Sequence, residues 1–306
     1  MVASLPSIPY PPAGDGFWSP VTSTINWCEE DYYASHYFAE IVNTLTNLVF
    51  VYLAYEGIAN CLRNGHDRVY LVAFLSYLSI GLGSFAFHAS LKYPMQLLDE
   101  LSMVYTTCVL FYAIFSHARP PLVKLAVFIF ITATAAGVTG YYHYLQDPLF
   151  HQNAFALLTV IVVFRSIWAM ETILKPQKGK KVDGEIREWT QKEKRDYKTL
   201  KEMRFLVRCG LGSVALGFLI WNLDNAYCSN LRRWRRSVGL PWGILLEGHG
   251  WWHIMTGIAA YINLTWAVWL RYCLDGKQDE VELVWPRLFS VPLLKKKDRK
   301  AHAKAA

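Results

Sequence analysis

Two histidines in the last quarter of the chain, His249 and His253, lie four residues apart in an otherwise apolar segment from about residue 243 to residue 270. In an α-helix, residues at i and i+4 project from one face, so the two imidazoles could bind a single metal ion. Packed or interfacial histidines would give the same pattern, and an isolated pair favours that alternative. A metal centre therefore needs a third ligand and an acid from elsewhere in the chain.

The apolar residues occur in blocks long enough to cross a membrane. Hydrophobic residues make up 53% of the 306 residues, and aromatic residues 15%. A span needs about 20 mainly apolar residues, and seven blocks qualify, at roughly 36–57, 69–89, 95–116, 122–142, 151–171, 203–222 and 244–270. Since the backbone in lipid must satisfy its hydrogen bonds within each span, the sequence predicts an all-α, seven-transmembrane helix bundle.

Basic residues between the blocks predict the orientation of the bundle. An external N-terminus leaves 24 Lys and Arg residues inside and five outside. The positive-inside rule therefore predicts a lumenal N-terminus and a cytosolic C-terminus. An arginine cluster at 232, 233, 235 and 236 opposes this locally, and we attribute it to contact with lipid headgroups. The net charge of +7 then reflects membrane topology and is not a nucleic-acid signal.

These boundaries divide the chain into three parts. Residues 1–35 form a lumenal N-terminal segment, residues 36–271 the transmembrane catalytic domain, and residues 272–306 a basic cytosolic tail. A charged cytosolic insertion at about residues 172–202 is interpreted as a solvated helix or a flexible loop. Within the fifth span, Arg165 and Glu171 are interpreted as an ion pair or as side chains that snorkel to the interface.

Polar residues on two other predicted spans lie at the same depth as the histidine pair. Ser84 and His88 are four residues apart at the lumenal end of the second span, so they share a helix face. Asp99 lies about one to two turns into the third span, and an ionisable residue at such depth is costly enough to indicate function. The seventh span begins on the same side with His249 and His253.

This combination matches the chemistry of a hydrolytic metal site. Three histidines and a water molecule form the open ligand set of catalytic zinc, and a nearby carboxylate can accept a proton from that water. Ser84 could donate to a developing oxyanion or position a neighbouring group. His143 and His151 are competing ligands but have no i, i+4 partner on the metal-binding face, and His36 is interpreted as interfacial.

An acidic segment precedes the first span. It runs from Asn26 to Asp31, includes Glu29 and Glu30, and is followed by Glu40. Ca²⁺ binds six to eight oxygens from carboxylates, amides and main-chain carbonyls, so clustered carboxylates beside a bilayer suggest a calcium site. A solvated acidic tail is an equally good interpretation, because the spacing is not that of an EF-hand loop.

Four parts of the sequence together resemble the alkaline ceramidases. The resemblance extends from about residue 16 to the basic tail, and the order S-x-x-x-H, D, H-x-x-x-H is a specific combination. This family belongs to a seven-span hydrolase superfamily that includes the adiponectin receptors. The residues that carry the resemblance are Glu29 to Glu40, Gly83 to His88 with Gln96 to Glu100, Phe218 to Asn225, and His249 to His253.

The resemblance implies hydrolysis of the amide bond of ceramide, phytoceramide or dihydroceramide to a sphingoid base and a free fatty acid. It implies that His88, His249 and His253 bind Zn²⁺, and that Ser84 and Asp99 complete the catalytic centre. The expected surroundings are the bilayer of the endoplasmic reticulum or Golgi. Neither a nucleic acid nor an obligate protein partner is indicated.

The resemblance also implies a Ca²⁺ site before the first span. Its five positions are Asn26, Trp27 through its carbonyl, Glu29, Asp31 and Glu40. The first position is usually Asp in the family and here is Asn26, whereas the fourth is often Asn and here is Asp31. The two differences offset in charge, so the site keeps three carboxylates.

Two cysteines are assigned to the lumenal side, where disulfides form. Cys28 precedes the first span and Cys228 follows the sixth. We predict a disulfide between them that ties the calcium segment to the last lumenal loop. The cysteines predicted to be free are Cys61, Cys108, Cys209 and Cys273.

Two other functions fit part of the pattern. A seven-span lipid-sensing receptor would hold a structural zinc in a closed shell of four protein ligands, which direct ligation by Asp99 would complete. A haem-binding membrane redox protein would use paired histidines but leave Ser84 and Asp99 without a role. The sequence leaves open whether Asp99 is a general base or a ligand.

Overall fold

The structure is a computed structural model that describes residues 6–176, 181–182, 185–186, 189–286 and 290–297. Helices dominate this part of the chain. They are Ile41–Thr46 (α1), Leu48–Asn64 (α2), Arg68–Ser90 (α3), Tyr93–Phe115 (α4), Pro121–Leu145 (α5), Pro148–Leu174 (α6), Gln191–Ala226 (α7), Cys228–Val238 (α8) and Gly248–Leu274 (α9). Short 3₁₀ helices occupy Trp242–Leu246 and Gln278–Glu280.

Six candidate membrane spans are present in the described part of the chain. Each is long and apolar enough to cross a bilayer, and the prediction of a multi-pass helical membrane protein is therefore confirmed. The seventh predicted block coincides with α9, which is 27 residues long but is not one of the six. The six are Ile41–Asn64, Arg68–Ser90, Tyr93–Phe115, Pro121–Leu145, Pro148–Leu174 and Gln191–Ala226.

Short-range signals determine where several helices begin. The side chain of Asp67 accepts a hydrogen bond from the Val69 amide at the start of α3, and Asp147 does the same for Leu149 at the start of α6. These caps satisfy amides that have no partner within the helix. Proline in the first turn of α4, α5 and α6 is compatible with helix initiation, because an amide there needs no internal acceptor.

Helix α9 is an interior helix, and this explains its polar content. Sixteen of its 27 residues are buried, whereas α5 buries only Ile131 and Tyr142. Tyr77 of α3 donates a hydrogen bond to the Gly257 carbonyl of α9 at 2.8 Å. Polar side chains on α9 therefore face protein partners, while α5 exposes apolar side chains to its surroundings.

A glycine in α3 brings α3 and α4 together beside Asp99. A Cβ atom at Gly83 would lie 2.9 Å from the Leu98 carbonyl oxygen and 3.0 Å from the Asp99 amide nitrogen. Those distances are too short for a side chain, so a larger residue would force the two backbones apart. Gly83 therefore permits the approach that places Ser84 against the start of α4.

Two short hairpins contain the strands of the described part of the chain. Lys181–Val182 (β1) pairs antiparallel with Glu185–Ile186 (β2), and Val281–Val284 (β3) pairs antiparallel with Leu293–Lys296 (β4). The β3–β4 hairpin lies against the end of α2, since Asn60 donates to the Leu294 carbonyl at 3.0 Å. Parts of three predicted segments lie outside the described residues, namely 1–5 of the N-terminal segment, 177–180, 183–184 and 187–188 of the charged insertion, and 287–289 and 298–306 of the basic tail.

The predicted disulfide is present between Cys28 and Cys228. It joins the segment before α1 to the first residue of α8. The remaining cysteines are free, as expected, at positions 61, 108, 209 and 273. The N-terminal segment is therefore covalently attached to the connection between α7 and α9.

Candidate metal centre

Three imidazoles meet beside the start of α9. One ligand nitrogen from each of His88, His249 and His253 lies within 4.8 Å of the other two, and all three side chains are buried. The ring centroids are 5.1 Å apart for His88 and His249, and 4.7 Å and 4.6 Å from His253. Within the described residues this is the only group of three or more His, Cys, Asp or Glu side chains at such spacing. The group could hold a metal ion.

Two of the histidines use the Nδ1 ring nitrogen for contacts with neighbouring side chains. The Nδ1 atom of His88 is 2.5 Å from Oε2 of Glu40, and Nδ1 of His253 is 3.0 Å from the Thr46 hydroxyl oxygen. Because the Thr46 hydroxyl already donates to the Val42 carbonyl at 2.9 Å, its oxygen is available to accept from the imidazole. An Nδ1 atom that donates to the Glu40 carboxylate leaves Nε2 of His88 with the lone pair that a metal requires. Nδ1 of His253 lies between the Thr46 hydroxyl and the Asn47 side-chain amide, which is 3.3 Å away, so its Nε2 is the ring nitrogen without a contact to these side chains.

The third histidine has an unsatisfied nitrogen. Nδ1 of His249 is buried and has no hydrogen-bond partner. The Trp27 ring stacks on the imidazole at a centroid distance of 4.3 Å and an angle of 22°. A buried polar atom without a partner is unusual in a folded protein, and metal coordination would be one way to satisfy this ring. The three residues therefore fit a metal ion chemically as well as by distance.

Ser84 and Asp99 lie near each other on α3 and α4, where Gly83 lets the two helices approach. Ser84 is buried, one turn before His88, and its side chain is close to the Asp99 carboxylate. The Asp99 oxygens are not part of the group whose ligand atoms lie within 4.8 Å of one another. The arrangement thus consists of three imidazoles, with the Ser84 hydroxyl one turn from His88 and the Asp99 carboxylate close to that hydroxyl.

The other histidines considered from sequence are elsewhere. His151 is buried with Nε2 at 2.8 Å from the Glu100 carbonyl oxygen. His143 is exposed, with Nδ1 at 3.4 Å from the Tyr93 hydroxyl. His36 is also exposed. None of the three belongs to the metal-binding group.

Two of the predicted calcium ligands also support the first span. The Glu29 carboxylate accepts hydrogen bonds from the amides of Val42 at 2.7 Å and Asn43 at 2.8 Å, so it caps the start of α1. Burial raises the pKa of Glu40 to about 7, and its carboxylate contacts His88. Glu40 therefore links the acidic segment to the candidate metal centre.

The remaining predicted calcium ligands lie on the same segment. The Asn26 amide donates to Oδ2 of Asp31 at 3.1 Å, and the Trp27 carbonyl oxygen is 3.5 Å from Nη2 of Arg232. Burial, together with the charge of Glu40, raises the pKa of Asp31. Among the residues that the structure describes, the three predicted carboxylate ligands do not form a group with the spacing of the histidines.

A buried arginine of the cluster that the sequence analysis assigned to lipid headgroups holds the start of α9. Arg235 of α8 is 0% exposed, with Nη2 at 2.9 Å from Glu247 Oε2 and 3.3 Å from Asp224 Oδ1. Asp224 also accepts a hydrogen bond from the Gly248 amide at 3.1 Å. Because His249 is the next residue, this ion cluster positions the end of the helix that carries two imidazoles.

The arginine cluster of α8 contacts the acidic segment. Arg235 and Arg232 donate to the Cys28 carbonyl at 2.8 Å and 2.9 Å, and Arg236 forms an ion pair with Glu30. The expectation that this cluster contacts lipid headgroups is wrong for Arg235, which is fully buried, and stays a prediction for the other arginines. The charges of Arg235 and Arg236 are balanced by carboxylates within the protein, which gives a local reason for the departure from the positive-inside pattern. Sequence spacing gave no signal for these contacts, because the partners come from distant segments.

The fold and the site define an integral membrane protein with a buried candidate metal centre. The profile of the family described as ceramidase matches residues 19–295 of the chain. The protein therefore belongs to the ceramidase family and is an enzyme, as the sequence resemblance implied.

Curated relatives align over nearly the whole chain. It is 31% identical over 281 residues to alkaline ceramidase 3 of Mus musculus, an alignment that covers 90% of this chain and 96% of the relative. It is 31% identical over 285 residues to alkaline ceramidase YPC1 of Saccharomyces cerevisiae, with coverages of 88% and 83%. An alkaline ceramidase of Arabidopsis thaliana is 24% identical over 270 residues, with coverages of 87% and 91%.

The substitution Arg235→Met tests the ion cluster. It should lower the free energy of unfolding by about 3 to 5 kcal/mol, because Asp224 and Glu247 would remain as buried charges without their arginine. The measurement is unfolding of the purified protein in detergent. Arg233→Met is the matched control on the exposed side of the same helix and should change stability by less than about 0.5 kcal/mol. Equal stability of the two variants would contradict the assigned role of Arg235.

Proposed function

We propose that this protein is a zinc-dependent amidase that hydrolyses ceramide or phytoceramide, within the membrane, to a sphingoid base and a free fatty acid. The main support for the proposal is the buried group of His88, His249 and His253 in a member of the ceramidase family. The relatives reported above are alkaline ceramidases, which agrees with this substrate class.

Zinc is the metal that best suits the donor set. Three neutral imidazoles with an open fourth position are typical of catalytic zinc, and His88, His249 and His253 would supply those ligands. Bound there, zinc supplies Lewis-acid activation of a water molecule and of the amide carbonyl.

A receptor with structural zinc would need a fourth protein ligand, and the Asp99 oxygens lie outside the group of ligand atoms. That position supports a role for Asp99 as a base.

The neighbouring polar side chains handle the protons. Asp99 accepts a proton from the attacking water and returns it to the leaving amine nitrogen. Ser84 donates a hydrogen bond, either to the developing oxyanion or to Asp99, whose orientation it then fixes. In the net reaction the amide C–N bond breaks, the acyl carbon gains a hydroxyl group, and the nitrogen gains a proton.

The location of the site suits a lipid substrate. A sphingolipid amide carries two long hydrocarbon chains, so a site reached from within the bilayer avoids transferring them to water, which costs about 0.8 kcal/mol per CH₂ group. His88 and Ser84 lie near the end of a membrane-spanning helix, where the polar part of such a lipid resides. Ceramide, phytoceramide and dihydroceramide all share the amide that the site would cleave.

We further propose that α9 is a seventh span, with residues 1–35 lumenal, 36–271 in the membrane domain and 272–306 cytosolic. The disulfide supports this topology, because Cys28 and Cys228 must lie on one side of the membrane, in an oxidising compartment such as the endoplasmic reticulum or Golgi lumen. An N-glycosylation acceptor added to the N-terminal segment should be modified, and one added to the C-terminal tail should not. The reverse pattern would contradict the orientation.

We also propose a Ca²⁺ site formed by Asn26, the Trp27 carbonyl, Glu29, Asp31 and Glu40. Burial of several carboxylates on one short segment favours a bound cation, because the cation offsets their mutual repulsion.

The substitution Asp31→Ala tests the calcium site. Ca²⁺ should raise the melting temperature of the wild type and should have little effect on the variant, because one of three carboxylate ligands is lost. Asp15→Ala removes an exposed carboxylate upstream and serves as the matched control. An undiminished response to Ca²⁺ in Asp31→Ala would exclude this site.

The substitution His253→Ala tests the metal centre. It should abolish hydrolysis of ceramide, phytoceramide and dihydroceramide and should reduce the zinc measured in the purified protein, because two imidazoles do not complete the ligand set. His143→Ala removes an exposed histidine and should leave both quantities unchanged. A folded His253→Ala protein with normal activity would refute the assignment.

The substitution Asp99→Asn separates a base from a ligand. If Asp99 transfers protons, hydrolysis should fall by about 10²- to 10⁴-fold while the zinc content stays at the wild-type level. Metal analysis and a lipid hydrolysis assay on the same preparation give both readings. Loss of zinc in parallel with activity would instead identify Asp99 as a ligand.

A further inference from the structure

An apolar groove lies where α4 ends and α5 begins, in a part of the protein that the hydrolytic site does not use. Its volume is about 480 Å³, and its lining is almost entirely apolar. That volume is within the range of about 300 to 1,000 Å³ that is usual for ligand sites. Residues lining it include Phe111, Phe115, Leu122, Ala126 and Phe130.

An arginine of α6 lies next to this groove. The guanidinium carbon of Arg165 is 5.8 Å from the centroid of the Phe115 ring, which lines the groove, and 4.6 Å from that of Trp168. Its Nη1 atom is buried and has no hydrogen-bond partner. Arg119, in the connection between α4 and α5, precedes the groove residue Leu122 by three positions.

Nearby carboxylates do not neutralise these two arginines. Glu171, the acidic residue on the same helix as Arg165, is instead bound by Arg204 through two hydrogen bonds of 2.6 Å and 2.7 Å. Glu171 therefore pairs with Arg204 and not with Arg165, and the alternative that Arg165 snorkels to the interface stays a prediction. Over the ranges that the structure covers, neither Arg165 nor Arg119 forms an ion pair, so two positive charges remain uncompensated beside an apolar surface.

We propose that this groove binds an anionic glycerophospholipid, with its phosphate on Arg165 and Arg119 and an acyl chain along Phe111 and Phe130. A phosphate supplies the acceptor oxygens that the buried guanidinium nitrogen lacks, and guanidinium groups bind phosphate in a bidentate manner. The groove supplies the apolar surface for a hydrocarbon chain. In the proposed orientation this end of the bundle faces the cytosolic leaflet, where anionic lipids are enriched. The site lies apart from the metal centre and does not depend on the hydrolytic function.

Lipid binding to the full-length protein tests the proposal. The purified protein in neutral detergent is mixed with phosphatidylserine or phosphatidylcholine, and bound lipid is quantified by native mass spectrometry. The wild type should prefer phosphatidylserine, and Arg165→Gln and Arg119→Gln should each weaken that binding about fivefold. Arg63→Gln removes a positive charge at the end of α2 and is the matched control, with unchanged affinity expected.

Two further variants separate charge from shape. Ala126→Trp fills the groove while keeping both arginines, and it should weaken the binding of both lipids. Arg165→Lys keeps the charge and should retain the preference for phosphatidylserine. Equal binding of the two lipids to the wild type would overturn the proposal, as would arginine variants that bind phosphatidylserine as tightly as Arg63→Gln does.

Discussion

The structure depends on placing three imidazoles at one point inside a bundle of membrane helices. A buried polar group without a partner is costly in such an environment, so each ring needs a defined contact. His88 obtains one from Glu40 and His253 from Thr46, whereas His249 stacks on Trp27 and keeps one nitrogen free. These contacts orient the rings, and metal binding can use the nitrogens that remain.

Segments outside the spans position the start of α9, which carries His249 and His253, relative to α3, which carries His88. The disulfide attaches the N-terminal segment to α8, and Arg235 of α8 contacts Asp224, Glu247 and the Cys28 carbonyl at the same time. A fully buried arginine is stable here because two carboxylates and several carbonyls surround it. The acidic segment, the disulfide and the arginine cluster thus form one support for the helix that carries two of the three histidines.

Much of the fold was accessible from sequence because each membrane span satisfies its own hydrogen bonds and leaves a local apolar signature. The helices that meet the length and apolarity of a span coincide with predicted blocks. Helix α9 departs from this pattern for a physical reason, since sixteen of its residues are buried against protein and need not be apolar enough for lipid. The β3–β4 hairpin was not predicted, because its strands are four residues each and lie within a basic tail.

By itself, the sequence determined the helical membrane architecture, the disulfide partners, the family and the three histidines that could share a metal. A spacing of four residues places two side chains on one helix face. In a multi-pass chain, successive spans cross the membrane in opposite directions, so the position of a residue within its span indicates its depth in the membrane. Both are local properties of the sequence. Only the tertiary structure decided what surrounds those residues: Glu40 on His88, Trp27 on His249, and Arg235 on Asp224 and Glu247. These contacts join segments far apart in the chain, and their partners are selected by helix packing, which no local pattern encodes.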